Sequence, residues 1–336
     1  MPSFTAVDVH AHHLGPDASA AASHLDPAAP RLVVDSPGEG RIVRGGATFR
    51  TVRPALWDVG VRLGEMDRAG ISHQVISPVP VTMEYACAPG SDPGYARSVN
   101  DSVVAACGAS GGRLLGLGCL PLHDLDAAVA ELDRCRDAGL LGVEIGTRIG
   151  DLELDAPELA PFWQACEATG SAVLVHPVLG GRGAVRRTGP PYDLGLGMLT
   201  DTALAAGALV FGGVLRTYER LRIALAHGCG AFPWAYPRLR LAAGIGGDHA
   251  DWDGLVRRLY ADTLVFDDEH LRLLVHRFGV ERVLLGSDAP FFPEQMAKSM
   301  ASVRDAAHAG VLPEGTDPSL LARNALEFLG VADRTA

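Results

Sequence analysis

The stretch TAVDVHAHH, residues 5–13, places three histidines, His10, His12 and His13, behind a short apolar run. Side chains on a β-strand alternate between its two faces, so His10 and His12 should project to one side and His13 to the other. The stretch therefore predicts a first strand that presents a pair of histidines at its carboxyl end.

Similar β-type runs recur along the chain, each followed by a segment of helical periodicity that often ends in glycine. Apolar strands that alternate with helices are typical of a parallel sheet buried on both faces, and eight such units can close into a barrel. We predict a single domain over residues 1–336, a (β/α)8 TIM barrel. Its predicted strands are 5–10, 73–79, 114–120, 142–147, 171–177, 222–228, 261–266 and 282–288.

Two insertions distort the regular spacing. Residues 14–56 contain RIVRGGATFRTV, which predicts a small β-hairpin after strand 1 that turns at Gly45-Gly46. Residues 178–196 are rich in Gly, Pro and Arg and predict an active-site loop. Both insertions follow the carboxyl ends of strands, where barrel enzymes carry their active sites.

Composition excludes several classes of partner. The net charge of −11 disfavours binding to nucleic acid or to an anionic membrane, which requires clustered basic residues. No apolar run approaches the ~20 residues that span a bilayer. The six cysteines show no close pairing, which favours a reducing compartment. We expect a cytoplasmic protein whose partners are small molecules.

Further polar residues stand at the predicted strand ends. His176 ends the fifth strand, His227 the sixth and Asp288 the eighth, so they should meet His10 and His12 at one rim. A single histidine at a strand end is usually structural, but this agreement between strands favours a metal site. Nitrogen and oxygen donors favour Zn²⁺, with Mn²⁺ as the alternative.

Alternation also predicts the neighbours of the histidine pair. Asp8 should share their face one step deeper and support the site or the barrel core without binding metal. The histidine pair faces into the barrel if Val7, Val9 and Ala11 face the helices.

The arrangement HxH, His, His and Asp on strands one, five, six and eight resembles the amidohydrolase superfamily. Additional motifs resemble its aminocarboxymuconate semialdehyde decarboxylase branch over essentially the whole chain. They are FRTV at 49–52, WDVGVRLGEMDRAG at 57–70, LLGLGCLP at 114–121, GVEIGT at 142–147, HGCGAFP at 227–233 and GSDAPF at 286–291.

This resemblance implies a carboxy-lyase that performs metal-dependent, non-oxidative decarboxylation without an organic cofactor. The implied metal ligands are His10, His12, His176 and Asp288. The implied catalytic residues are His227, as acid/base, and Asp288; the implied substrate contacts are Arg50, Arg238 and Phe291. In the family the second arginine crosses a dimer interface, which implies a homodimer with Arg238 supplied in trans.

The sequence departs from the family at several positions. Lys298 is the only lysine, so a carboxylated lysine cannot bridge two metals in the fourth strand. Glu144 stands there where the decarboxylases have glutamine, and it could bind a second ion, contact substrate or be structural. The loop text HPVLGG replaces the family's HPW, and Tyr192–Leu196 replace a later tryptophan. We therefore expect a related but not identical substrate. Cys229 is expected to pack in the interior and not to act as a nucleophile.

Three functions remain open at this stage. The leading one is decarboxylation of an unsaturated or aromatic carboxylic acid that carries a second anionic group. The alternatives are a metal-dependent hydrolase of a lactone or amide, or a hydratase, and a barrel used only for binding.

Overall fold

The computed structural model describes residues 3–178, 180–181 and 184–331, with the backbone alone for residues 21–23. Within these residues the strands are β1 (Val7–His13), β2 (Arg31–Ser36), β3 (Glu39–Arg44), β4 (Ala47–Val52), β5 (His73–Pro78), β6 (Leu114–Gly118), β7 (Gly142–Gly146), β8 (Ala172–His176), β9 (Arg222–Leu225), β10 (Tyr260–Asp262) and β11 (Val283–Leu284).

The α-helices of the same residues alternate with the strands. They are α1 (Pro16–Leu25), α2 (Val59–Ala69), α3 (Pro80–Ala86), α4 (Pro93–Ala109), α5 (Leu125–Asp137), α6 (Ala160–Thr169), α7 (Met198–Phe211), α8 (Val214–Thr217), α9 (Ala226–Cys229), α10 (Phe232–Ile245), α11 (Trp252–Val256), α12 (Asp268–Phe278), α13 (Gln295–His308) and α14 (Pro318–Leu329).

The predicted barrel is confirmed. Among the described residues, eight strands form one parallel sheet in the order β1-β5-β6-β7-β8-β9-β10-β11. The segment after β11 returns to β1, where the backbone N–H of Val9 donates to the carbonyl of Leu285 at 2.8 Å and that of His12 to Ala289 at 2.7 Å. These bonds join the last strand to the first.

Helix boundaries follow the polar and glycine signals in the sequence. The carboxylate of Asp58 accepts a hydrogen bond from the first turn of α2, and Asp124 does the same for α5. Gly70 and Gly170 end α2 and α6 in the left-handed conformation that glycine adopts without a steric penalty. The sharp helix ends return the chain to the next strand.

The sides of β8 show how the barrel is filled. Val173 and Val175 pack among the surrounding helices in a cluster that contains Trp163 of α6. Leu174 shares its face with His176 and packs with Leu284 of β11 in a separate interior cluster. An apolar interior thus lies beneath the polar carboxyl ends of the strands.

An irregularity in β1 overturns the prediction for Asp8. The register with β5 shifts between Asp8 and Ala11, so simple alternation does not hold across it. Asp8 accepts a hydrogen bond from Nε2 of Gln74 at 2.7 Å, and Gln74 in turn accepts one from Arg62 of α2. Asp8 therefore faces the helices, and its expected place on the histidine face is wrong.

The same irregularity changes the neighbouring apolar residues. Val7 and Val9 were expected to face the helices, but they pack with Leu174 in the interior cluster. Ala11 lies beyond the register shift and packs outward, as predicted, in the cluster that contains Met66 of α2.

The insertion after β1 contains the predicted hairpin. Arg44 pairs with Ala47 across Gly45 and Gly46, which both have positive φ angles, 56° and 79°. The sequence did not predict β2, which adds a third antiparallel strand, or helix α1.

The second insertion is only partly a loop. Leu179, Arg182 and Gly183 lie outside the described residues, and Pro191–Gly197 form a π-helix that continues into α7. The helical segment Pro191–Thr217 is long and apolar enough to cross a membrane by length and composition. Its residues Ala205 and Leu209 are buried in the core of the barrel domain, and core helices of globular proteins pass the same test.

Candidate metal centre and active site

Four predicted residues converge at the carboxyl rim of the barrel. One donor atom from each of His10, His12, His176 and Asp288 lies within 4.8 Å of the others, and all four residues are buried. The His176 ring centroid is 4.9 Å from that of His10 and 5.0 Å from that of His12. The alternation of β1 and the end of β8 thus bring together residues far apart in sequence.

Asp288 lies in the turn beyond β11 and not on the predicted strand. Its φ angle is 55°, and its backbone N–H donates to the carbonyl of His10 at 2.8 Å. Its Oδ1 atom lies 3.2 Å from Nε2 of His12 and 3.8 Å from Nε2 of His10. Burial alone would raise the pKa of Asp288, but its contact with His12 and the charge of His10 lower it to about 2.

The donor atoms that face this centre lack hydrogen-bond partners. They are Nε2 of His10, His12 and His176 and Oδ1 of Asp288. A buried polar atom without a partner costs free energy, and one divalent cation would satisfy all four. Burial, followed by the charge of His10, holds the pKa of His176 well below its usual value, so His176 is in the neutral form that binds metal.

Groups behind the rings orient these nitrogens. Nδ1 of His10 lies 2.7 Å from Oδ2 of Asp262, and Nδ1 of His12 lies 3.3 Å from the carbonyl of Pro78. Nδ1 of His176 contacts the carbonyl of Pro177. These contacts turn each Nε2 towards the centre. Sequence patterns did not single out Asp262, because it stands near the start of the predicted strand 261–266, whereas the strand in the structure ends at this residue.

His227 lies beside the ligand rings in a left-handed turn. It belongs to α9, but its φ of 55° and the φ of 61° at Gly228 are not those of a regular helix. Its ring centroid is 5.2 Å from His10 and 4.9 Å from His176. Burial, and then the charge of His10, lower the pKa of His227 to about 4.

Glu144 of β7 is fully buried behind two of the rings. Its Oε2 lies 3.8 Å from Nδ1 of His12 and its Oε1 3.9 Å from Nδ1 of His176. Both carboxylate oxygens lack a hydrogen-bond partner, and burial raises the pKa of Glu144. It faces the Nδ1 side of the rings, away from the Nε2 atoms that surround the centre.

Arg50 of the hairpin reaches the same rim. Its guanidinium carbon lies 4.0 Å from the ring centroid of Phe291 and 5.9 Å from that of Phe292. The Phe291 ring is 5.3 Å from that of His12, which connects the arginine to the metal centre. Burial lowers the pKa of Arg50 without neutralising it.

Arg238 is not part of this group within one chain. It lies on the exposed side of α10, and no hydrogen bond, ion pair or ring contact joins it to the described residues of the metal centre. Trp234, Leu241 and Ile245 are 84%, 64% and 80% exposed, and helical spacing places them on the face of Arg238.

Two residues near the motifs take other roles. His13 lies outside the ligand group and contacts the hydroxyl of Ser102 in α4 at 3.1 Å, which fits the predicted opposite facing. Cys229 is buried in the core and burial raises its pKa, as expected of a packing residue.

A (β/α)8 barrel with three histidines and an aspartate at its carboxyl rim defines a metal-dependent barrel enzyme. The sequence profile of the family described as amidohydrolase matches residues 7–331, so the chain belongs to the amidohydrolase family.

One curated relative and two solved structures are similar over most of the chain. The 2-amino-3-carboxymuconate-6-semialdehyde decarboxylase of Dictyostelium discoideum is 32% identical over 85% of this chain and 80% of its own. The structure of 5-carboxyvanillate decarboxylase from Sphingomonas paucimobilis has a TM-score of 0.80 at 24% identity, covering 98% of this chain and 100% of its own. Dihydroxybenzoic acid decarboxylase from Polaromonas, solved with bound manganese, has a TM-score of 0.69 at 19% identity, covering 98% of both chains.

Proposed function

We propose that this chain is a lyase for the metal-dependent, non-oxidative decarboxylation of an unsaturated or aromatic carboxylic acid with a second anionic group. The three similar proteins are decarboxylases of an aminocarboxymuconate semialdehyde, of carboxyvanillate and of dihydroxybenzoic acid. The observation that carries the proposal is the His227 ring beside the ligand rings, with Arg50 at the same rim above Phe291.

The proposed ligands of a single divalent ion are His10, His12, His176 and Asp288. Three imidazole nitrogens and one carboxylate oxygen suit Zn²⁺, and Mn²⁺ is the alternative because the Polaromonas relative holds it. The ion, when bound, would lower the pKa of water or polarise a substrate oxygen.

The arginines would orient the substrate. A guanidinium binds a carboxylate through two parallel hydrogen bonds, which fixes its direction as well as its charge. Arg50 stacks on Phe291, so its planar group is already held at the rim. Phe291 would in turn contact the planar part of the substrate.

His227 would supply the proton. Its low pKa keeps it neutral in the free chain, and the negative charge of a bound carboxylate would favour the protonated form. A proton added to the carbon that bears the carboxylate leaves an electron-poor conjugated centre. The electrons of the carbon–carbon bond fill that centre as CO₂ leaves, and the proton stays on the product.

We propose a cytoplasmic homodimer of single-domain chains, residues 1–336, with Arg238 supplied in trans. The apolar face of α10 supports this, because monomeric proteins rarely expose an extended apolar patch, and Trp234, Leu241 and Ile245 lie exposed along one face of this helix. Burying that face against a second chain would carry Arg238 to a neighbouring rim.

Glu144 is proposed as a group that supports the ligands and not as the ligand of a second ion. Its oxygens face the Nδ1 atoms of His12 and His176, which already contact backbone carbonyls.

Mass balance tests the proposal. Zinc-loaded and manganese-loaded protein is incubated with a panel of aminocarboxymuconate-type and hydroxybenzoate acids, and both CO₂ and product mass are recorded. We expect a product lighter by CO₂ and no release with the His227→Ala variant. A product heavier by one water would instead identify a hydrolase or, with a new hydroxyl and no ring opening, a hydratase. No turnover together with no bound metal would favour a binding protein.

A further inference from the structure

Asp262 holds two parts of the site at once. It ends β10, is 1% exposed and accepts four hydrogen bonds. Oδ2 accepts from Nδ1 of His10 at 2.7 Å and from the backbone N–H of His227 at 3.0 Å. Oδ1 accepts from the N–H of Gly228 at 2.9 Å and of Leu264 at 3.1 Å.

We propose that Asp262 is a positioning residue that links a metal ligand to the acid/base residue. Its bond to His10 requires a proton on Nδ1, so Nε2 presents its lone pair to the metal centre. Its bonds to His227 and Gly228 hold two consecutive residues in the left-handed conformation, which a non-glycine residue such as His227 adopts infrequently.

The surroundings of Asp262 are shaped for a carboxylate at this position. A Cβ atom on Gly286 would lie 2.8 Å from Cβ of Asp262 and 3.2 Å from its Oδ2, so only glycine leaves room there.

The geometry also identifies an informative variant. Each carboxylate oxygen of Asp262 accepts hydrogen bonds from two N–H groups. In Asp262→Asn one of these oxygens becomes an NH₂ group, which cannot accept, so two of the four N–H groups lose their acceptor in either orientation of the amide. The variant keeps the shape of the side chain and disturbs either the His10 bond or the turn at His227. Asp201 is a matched control, since it is also buried at 2% exposure and pairs with Arg148 outside the metal centre.

The first experiment measures Zn²⁺ affinity of the metal-free full chain by competition with a chelator, which does not depend on the proposed reaction. We expect Asp262→Asn to weaken binding by about 10- to 100-fold and Asp201→Asn to change it less than about twofold. The second measurement is decarboxylation at saturating metal, which rests on the proposed function. There Asp262→Asn should lower kcat at least about tenfold with little change in KM.

The two readouts separate the parts of the proposal. Wild-type metal affinity in folded Asp262→Ala, which leaves no side-chain acceptor for Nδ1 of His10, would overturn the link to His10, whatever reaction the enzyme performs. Weakened affinity with wild-type kcat at saturating metal would overturn the link to His227.

If circular dichroism shows that Asp262→Asn is unfolded, the native protein still gives a test. Nitrogen-15 NMR of the zinc-loaded chain, with the His10 signal assigned by its loss in His10→Gln, should show a proton on Nδ1. An unprotonated Nδ1 on His10 would overturn the proposal.

Discussion

Arg50 and Phe291 come from segments far apart in the sequence, yet the guanidinium carbon of one lies 4.0 Å from the ring centroid of the other. The hairpin after the first strand and the turn after the last strand therefore meet over the metal centre. Their contact places a fixed positive charge where an anionic substrate would enter.

The stacked geometry predicts that Arg50→Lys is not a conservative change. Lysine keeps the charge but loses the planar fork, so KM should rise about tenfold or more while metal content stays unchanged. Steady-state kinetics and metal analysis check this. Arg97→Lys, on an exposed side chain, is the control and should behave as wild type. Equal KM values for Arg50→Lys and wild type would remove Arg50 from substrate binding.

Metal removal should destabilise the chain. Without an ion, the buried Nε2 atoms of His10, His12 and His176 have no partner. A bound ion at 100 times its Kd adds about 2.7 kcal/mol to the free energy of unfolding, and chelation removes this contribution. Calorimetry should show a lower Tm with chelator and recovery with Zn²⁺. His176→Ala should lack bound metal and this response, whereas His308→Ala, on an exposed residue, should retain both.

His227 should affect turnover without affecting metal content. His227→Asn removes the proposed proton donor, so kcat should fall about 10²- to 10⁴-fold. Elemental analysis should still find one ion per chain, because His227 lies outside the four-donor group. Normal turnover by this variant would disprove the acid/base role, and loss of metal would make His227 a ligand.

Arg238 in trans predicts complementation between two inactive variants. A mixed dimer of His227→Asn and Arg238→Ala chains has one intact site, made from His227 of one chain and Arg238 of the other. Mixing and exchange should restore about a quarter of wild-type activity for a twofold-symmetric dimer. Trp234→Glu should give monomers by light scattering. If mixing restores nothing although the chains exchange, Arg238 acts within its own chain. An Arg238→Ala variant that is active by itself would show that Arg238 has no role.

His73 predicts a pH dependence of stability away from the metal centre. It is buried and stacked on Phe4 with ring centroids 4.0 Å apart, and burial lowers its pKa to about 4. The unfolded state binds its proton near pH 6.5, so stability falls as the pH drops below that value. Between pH 7 and 5 the loss from this residue should be about 2 kcal/mol. Urea denaturation should show that the free energy of unfolding of the metal-free wild type falls by that much more between pH 7 and 5 than the free energy of unfolding of metal-free His73→Phe. Parallel pH profiles of the two proteins would contradict this prediction.

The barrel and the ligand set could be predicted because they depend on local periodicity. Strand alternation selected His10 and His12 over His13, and strand ends located His176. The register shift in β1 could not be predicted, because it depends on how β1 pairs with β5 and not on its own sequence. This is why Asp8, Val7 and Val9 were assigned to the wrong faces.

Long-range contacts explain the other differences. His227 and Asp288 follow apolar runs and look like strand residues, but both adopt left-handed turns that are held by partners elsewhere in the chain. Asp262 went unnoticed because its significance lies in the four donors that surround it. A single acidic residue in ADTLVF gives no sign of those contacts.

The seam of the barrel has a consequence for synthesis of the protein. His10 and His12 emerge from the ribosome first, but Asp288 joins them only when the segment after β11 has bonded to β1. A nascent chain that ends before this segment lacks one donor and the closing backbone bonds. The complete four-donor group therefore forms only after the segment beyond β11 has been made, so we expect full ion affinity only from the closed barrel.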